Sequence, residues 1–196
     1  LSGIFMSQLA TAILGVMFVT SEYTSGMIRS TFSAVPKRMP VLIGKVVALT
    51  VVTFVLMLVA AFAVFFLSMP IFASENLQTN LGEPGVLRAV VGCALYLTVI
   101  ALMGMALGLI VRSTAGAVAI IVGLLFVLPI LVSLPFLPQS ISFNLTKWLP
   151  GTAGQSIVQV EQQPNLLPVW AGFGVFCGYV VIRMAIGGFV RMKRDA

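Results

Sequence analysis

The side chains that could do chemistry are few and gathered. Glu22, Arg29, Lys37, Arg38 and Lys45 all fall in VTSEYTSGMIRSTFSAVPKRMPVLIGK, residues 19 to 45. One acid among four cations is neither a paired-carboxylate site nor a general acid–base couple. The chain has no His, and its two cysteines, Cys93 and Cys177, both sit inside apolar runs. Read as small buried residues, they offer no Cys/His metal site and no disulfide. No apolar run carries a carboxylate in its interior, so hydrolase or metalloprotease chemistry has no candidate residues and no catalytic residue is assigned. What residues 19 to 45 can do is recognise something.

The elements around this stretch belong in lipid. Of 196 residues, 60% are hydrophobic and only 8% charged, with a mean hydropathy of +1.14. A soluble domain carries about a quarter charged residues. The composition is that of one all-α, polytopic membrane domain spanning residues 1–196. The net charge of +6 does not point to nucleic acid, because the basic residues stand at the ends of apolar runs, as orientation in a membrane requires.

A helix needs about 20 apolar residues to cross the hydrocarbon core. Five runs qualify: about 1–19, 40–69, 87–111, 115–134 and 167–190. They are continuously apolar rather than alternating, which excludes barrel strands. Leu1 falls directly inside the first run, with no basic n-region before it, so the start does not read as a signal peptide. It reads as a chain whose natural beginning lies upstream.

The basic residues set the expected orientation. With residues 20 to 39 in the cytoplasm, Arg29, Lys37, Arg38, Lys45, Arg112, Arg191, Lys193 and Arg194 share that side, and Arg88 and Lys147 fall outside with Glu75, Glu83 and Glu161. The C-terminus is then cytoplasmic. Residues 135–166 are too polar to span and too apolar to float. They read as an external interfacial or re-entrant segment anchored by Lys147 and Trp148.

On a helical wheel, Met27, Ile28, Phe32 and Val35 share one side of residues 21–35, with Tyr23 at its edge. Glu22, Ser25, Gly26, Arg29 and Ser33 share the other. Ser21 is an expected N-cap, Pro36 an expected stop, and Pro40 an expected first residue of the next span. The stretch therefore reads as a cytoplasmic amphipathic helix between two spans. It could simply lie on lipid as a positive-inside loop. Its polar face of one acid, small residues and one Arg, in place of a row of lysines, suits packing against a protein better.

The run SEYTSGMIRSTFSAVPKRMPVLIGKVVAL resembles the segment after the second helix of type-2 ATP-binding cassette (ABC) exporter permeases, the membrane subunits that pair with a separate ATPase. The similar pattern is an acid, a Gly a few positions on, a Pro followed by a basic residue, and a Lys at the next helix start: Glu22, Gly26, Pro36 with Lys37 and Arg38, and Lys45. LGEPGVLRAVVGCALYLTVIALMGMALGLIVRSTAGAVA and LPGTAGQSI are also similar to small actinobacterial permeases of this family. The resemblance covers nearly all of the chain. It implies six helices with both termini inside, of which the five runs would be the second to sixth, and a coupling helix over residues 21–35. It also implies a bacterial inner-membrane location and a homodimer or heterodimer of permeases.

The resemblance further implies a cytoplasmic ABC ATPase partner carrying the ATP and magnesium; no cofactor binds this chain. Glu22, Tyr23, Gly26 and Arg29 become the expected docking residues, with Arg38 and Lys45 fixing the lever to the membrane. The expected substrate is amphipathic, drug-like or lipid-like. A non-transporting structural or regulatory subunit and a secondary transporter remain as alternatives, the latter weakened by the scarcity of intramembrane ionisable groups.

Within the runs, Gln8 and Thr11 could line a path or make helix–helix hydrogen bonds. Gly104 and Gly108 form a GxxxG pattern that suits close packing, and Pro129 is expected to kink the fourth run. Arg183, the one charge deep in a run, is expected to snorkel toward the nearby basic end.

Overall fold

A computed structural model of the chain describes residues 2–24, 38–74, 82–134, 139–160 and 167–194. The described residues are almost all helical, with no strand among them. Helix α1 is Ser2–Thr24, α2 Arg38–Ser74 and α3 Val86–Val111. The next run is divided into α4 (Thr114–Val122), a π-helical turn (Gly123–Val127) and α5 (Leu128–Ser133). Two short helices follow, α6 (Gln139–Trp148) and α7 (Pro150–Gln155), then a 3-10 turn (Ser156–Val158) and α8 (Val169–Arg194). The five apolar runs each become a helix long and apolar enough to cross a membrane, counting α4, the π turn and α5 as one.

Helix α3 is the most buried of the five and forms the centre. Small residues let α1 come against it. A Cβ placed on Gly15 or Gly104 would collide with the carbonyl oxygen of Ala101 or Ala12, and one on Gly108 would lie 3.2 Å from the Val16 carbonyl oxygen. Between apolar helices in lipid, such backbone approach is what van der Waals packing needs. The GxxxG pattern thus serves a contact within the chain. Gln8, Thr11, Ala12, Val16, Val19 and Thr20 make the buried stripe of α1 at helical spacing.

The helix directions follow from the pairs in contact. Tyr96 meets Gln8 and Gly108 meets Val16, so α1 and α3 run parallel. Tyr96 packs on Phe176, and Gly187 lies against Leu109, so α8 runs parallel to both. Helix α2 is antiparallel, with Leu42 and Leu49 packed in one cluster with Ala101, Met105 and Leu109. Its 37 residues reach about 55 Å at 1.5 Å per residue, and most of its apolar surface, including Val51, Val55, Val59 and Leu67, is exposed.

Two breaks have plain causes. Arg112, at φ 57, ends α3 in the left-handed conformation, and the Ser113 hydroxyl then caps α4 by accepting from the Gly116 N–H at 3.4 Å. Pro129 has no N–H for the Leu125 carbonyl, and its ring crowds the preceding turn. The helix answers with the π turn, in which the Leu128 N–H reaches back to the Gly123 carbonyl.

Two helix starts differ from the sequence expectation. Ser21 does not cap a new helix, because residues 21–24 continue α1. Arg38 opens α2, which leaves Pro40 as its third residue. Pro40 is tolerated there because the N–H groups of a first turn have no intrahelical acceptor. The rest of the expected coupling helix, 25–35, lies outside the described residues.

Candidate functional site

At the basic end, Lys45 of α2 and Glu22 of α1 form an ion pair. Its side chains are 15% and 27% exposed, so the pair sits partly sheltered, where screening by salt is weaker than at an open surface. Close by along α1, the Thr114 hydroxyl at the start of α4 donates to Thr20 Oγ1 at 2.8 Å. Thr20 in turn donates to the Val16 carbonyl at 3.0 Å. Three helices are thus tied at one end of the bundle.

Of the six expected docking residues, the structure brings Glu22 and Lys45 together. Tyr23 lies in the last turn of α1 and Arg38 at the start of α2. Gly26 and Arg29 lie outside the described residues. The helix directions bring Lys45, Arg112 and the end of α8, with Arg191 to Arg194, to the same end of the bundle as Glu22. Arg88 and Lys147 are at the other.

A second polar cluster lies deep between α1, α3 and α7. Tyr96 donates its hydroxyl to Gln8 Oε1 at 2.7 Å, and Gln155 Nε2 approaches the same oxygen at 3.5 Å. Gln8 and Tyr96 are both 0% exposed, and Gln8 Nε2 has no hydrogen-bond partner. Thr11, also buried, donates to the Ser7 carbonyl one turn back. In this chain Gln8 and Thr11 therefore face the interior between helices.

The expected external segment contains helix α6 and the short α7 with its 3-10 turn. Pro150, Gly151, Ala153, Gly154, Ser156 and Ile157 are buried. Gly154 is what admits α7: a Cβ there would lie 2.7 Å from the rings of both Phe176 and Tyr96. Ser156 donates to the Ala153 carbonyl at 2.7 Å and to the Val169 carbonyl at 3.2 Å. Arg88 of α3 holds the exit of the turn, its Nη2 donating to the carbonyls of Gln159 at 3.0 Å and Val160 at 3.2 Å.

Sequence reasoning did not find Tyr96, Gln155 or Arg88. Tyr96 had a usable signal, since a phenol in the middle of a long apolar run needs a hydrogen-bond partner. Gln155 and Arg88 had none, because their partners are distant in sequence and are backbone or amide groups.

No family model, curated protein or solved structure matches the chain.

Proposed function

We propose that the chain is the membrane-spanning permease subunit of an ABC exporter in a bacterial cytoplasmic membrane, with its C-terminus in the cytoplasm. Hydrolysis of ATP, with magnesium, takes place on a separate ATPase subunit and drives an amphipathic, drug-like or lipid-like substrate outward. The chain itself catalyses nothing. It works as a homodimer or heterodimer with a substrate path along the interface between permeases. Residues 135–166 are the external segment in this reading, and α7 within it inserts among the spans.

The observation that supports this reading is the Glu22–Lys45 ion pair. It joins the end of α1 to the start of α2, the two spans that flank the expected coupling helix. A push on the coupling helix then moves α1 and α2 together. Helix α1 packs on α3 through Gly15, Gly104 and Gly108, so its displacement is passed directly to the central helix. Force applied at one end reaches the core because packed interiors are stiff.

The test asks whether a neighbouring gene encodes an ATPase with a Walker A motif and co-expresses the chain with it. The expected outcome is a complex that survives purification, ATP hydrolysis that depends on the permease, and loss of both in Arg29→Ala or Gly26→Val. An ATPase retained and coupled equally by those variants would remove the docking assignment. A chain that recruits no ATPase would remove the exporter reading and leave a structural subunit.

A further inference from the structure

Arg183 does not reach back to the basic end of α8. Its guanidinium lies 5.7 Å from the centre of the Tyr179 ring, one turn nearer the start of the helix, and Nη1 is 4.0 Å from Met103 Sδ. This is the direction in which helical side chains lean. The side chain is therefore turned into the apolar middle of the bundle, about 20 Å along α8 from Val169 at 1.5 Å per residue.

No carboxylate pairs with Arg183 among the described residues. Glu22 is held by Lys45, and Glu83 stands at the opposite end of the bundle, just before α3. The remaining acids, Glu75, Glu161 and Asp195, adjoin Ser74, Val160 and Arg194 in the chain, all at helix ends or beyond them. A ring face and a thioether soften an unpaired guanidinium but do not neutralise it. A lone cation at this depth marks a place where an anion is received.

The surroundings define what kind of anion. Arg183 is half-buried at the border between the packed face of α8 and an exposed apolar stripe that runs back through Ile182 and Val181 toward Trp170 at the start of the helix. Toward the opposite end, the Tyr179 hydroxyl donates to the Trp148 carbonyl at 3.1 Å, and the Trp148 indole is exposed. A cation thus sits beside a long apolar surface that ends at an aromatic shelf.

We infer that this face of α8 binds an anionic amphiphile, its carboxylate or phosphate head on Arg183 and its acyl tail along the apolar stripe toward Trp148. The site requires only that α8 stands in lipid. It does not depend on the exporter reading, and failure of one leaves the other intact.

The test uses the full chain in phosphatidylcholine nanodiscs with Trp170→Phe, so that Trp148 is the only fluorophore of its kind. The quenchers are dibromostearate and brominated phosphatidylglycerol, each compared with a partner lacking net charge: methyl dibromostearate and brominated phosphatidylcholine. At least one anionic quencher should act at roughly tenfold lower concentration than its partner, the ratio given by one charge-assisted contact. Which one does so tells a free fatty acid from a membrane lipid. Arg183→Gln should abolish the preference and Arg183→Lys should keep it. Equal quenching by charged and uncharged partners in the unaltered chain, a result independent of how the variants fold, overturns the site. So does a preference that survives in Arg183→Gln.

Discussion

The hydroxyl of Tyr96 donates to Gln8 Oε1 over 2.7 Å, and it joins α1 to α3 where neither side chain is exposed. Tyr96→Phe keeps the ring against Phe176, whose centroid is 5.5 Å away, but leaves the Gln8 carbonyl with only the long contact from Gln155. The expected loss is about 1 kcal/mol, in line with interhelical hydrogen bonds in membranes. Unfolding in mixed micelles by increasing detergent fraction measures it. The double variant Gln8→Leu with Tyr96→Phe should lose less than the two single variants summed. Strict additivity would mean that the bond contributes nothing.

Glycine substitutions should divide sharply by position. Gly104→Val drives a side chain into the Ala12 carbonyl and should destabilise by roughly 2 to 3 kcal/mol, as overpacking does. Gly44 meets nothing within 4 Å and lies within α2. Gly44→Ala should be neutral or stabilise by up to about 1 kcal/mol through helix propensity. The same unfolding assay checks both, and equal effects at the two positions would contradict the α1–α3 contact.

Reversing the ion pair tests the loop base. Glu22→Lys and Lys45→Glu each put like charges together and should lower stability by roughly 0.5 to 1 kcal/mol. The double swap should recover most of that loss. Salt near 1 M, where the screening length falls to about 3 Å, should narrow the gap between single and double variants. Two single-variant losses that simply add would show that Glu22 and Lys45 act independently.

The long helices were readable because bilayer thickness sets a length and hydropathy marks it. The short ones were legible only as a helix at the interface or dipping back, without bounds, within residues 135–166. Pro150, Gly151 and Gly154 argue against helix by local propensity, yet here two of them have a task. Pro150 opens α7, where no N–H is needed, and Gly154 makes room for Tyr96 and Phe176. Tertiary packing decides that segment, and packing is not visible in a window of neighbours. Pro129 was legible as a disturbance but not as a π turn, because the way the freed turn rearranges depends on what lies against it. Arg183 was legible as a buried charge but not as one turned inward. Its nearest basic neighbours suggested an exit, and only the placement of Met103 and Tyr179 shows where the side chain goes.

Because α1 and α3 run parallel, the chain must cross and recross before they can meet. In synthesis from the N-terminus, Gln8 arrives long before Tyr96 exists. Until then its amide waits in hydrocarbon, because its partners Tyr96 and Gln155 both come later in the chain. Factors that shelter a half-made chain should matter most between the emergence of α1 and that of α3.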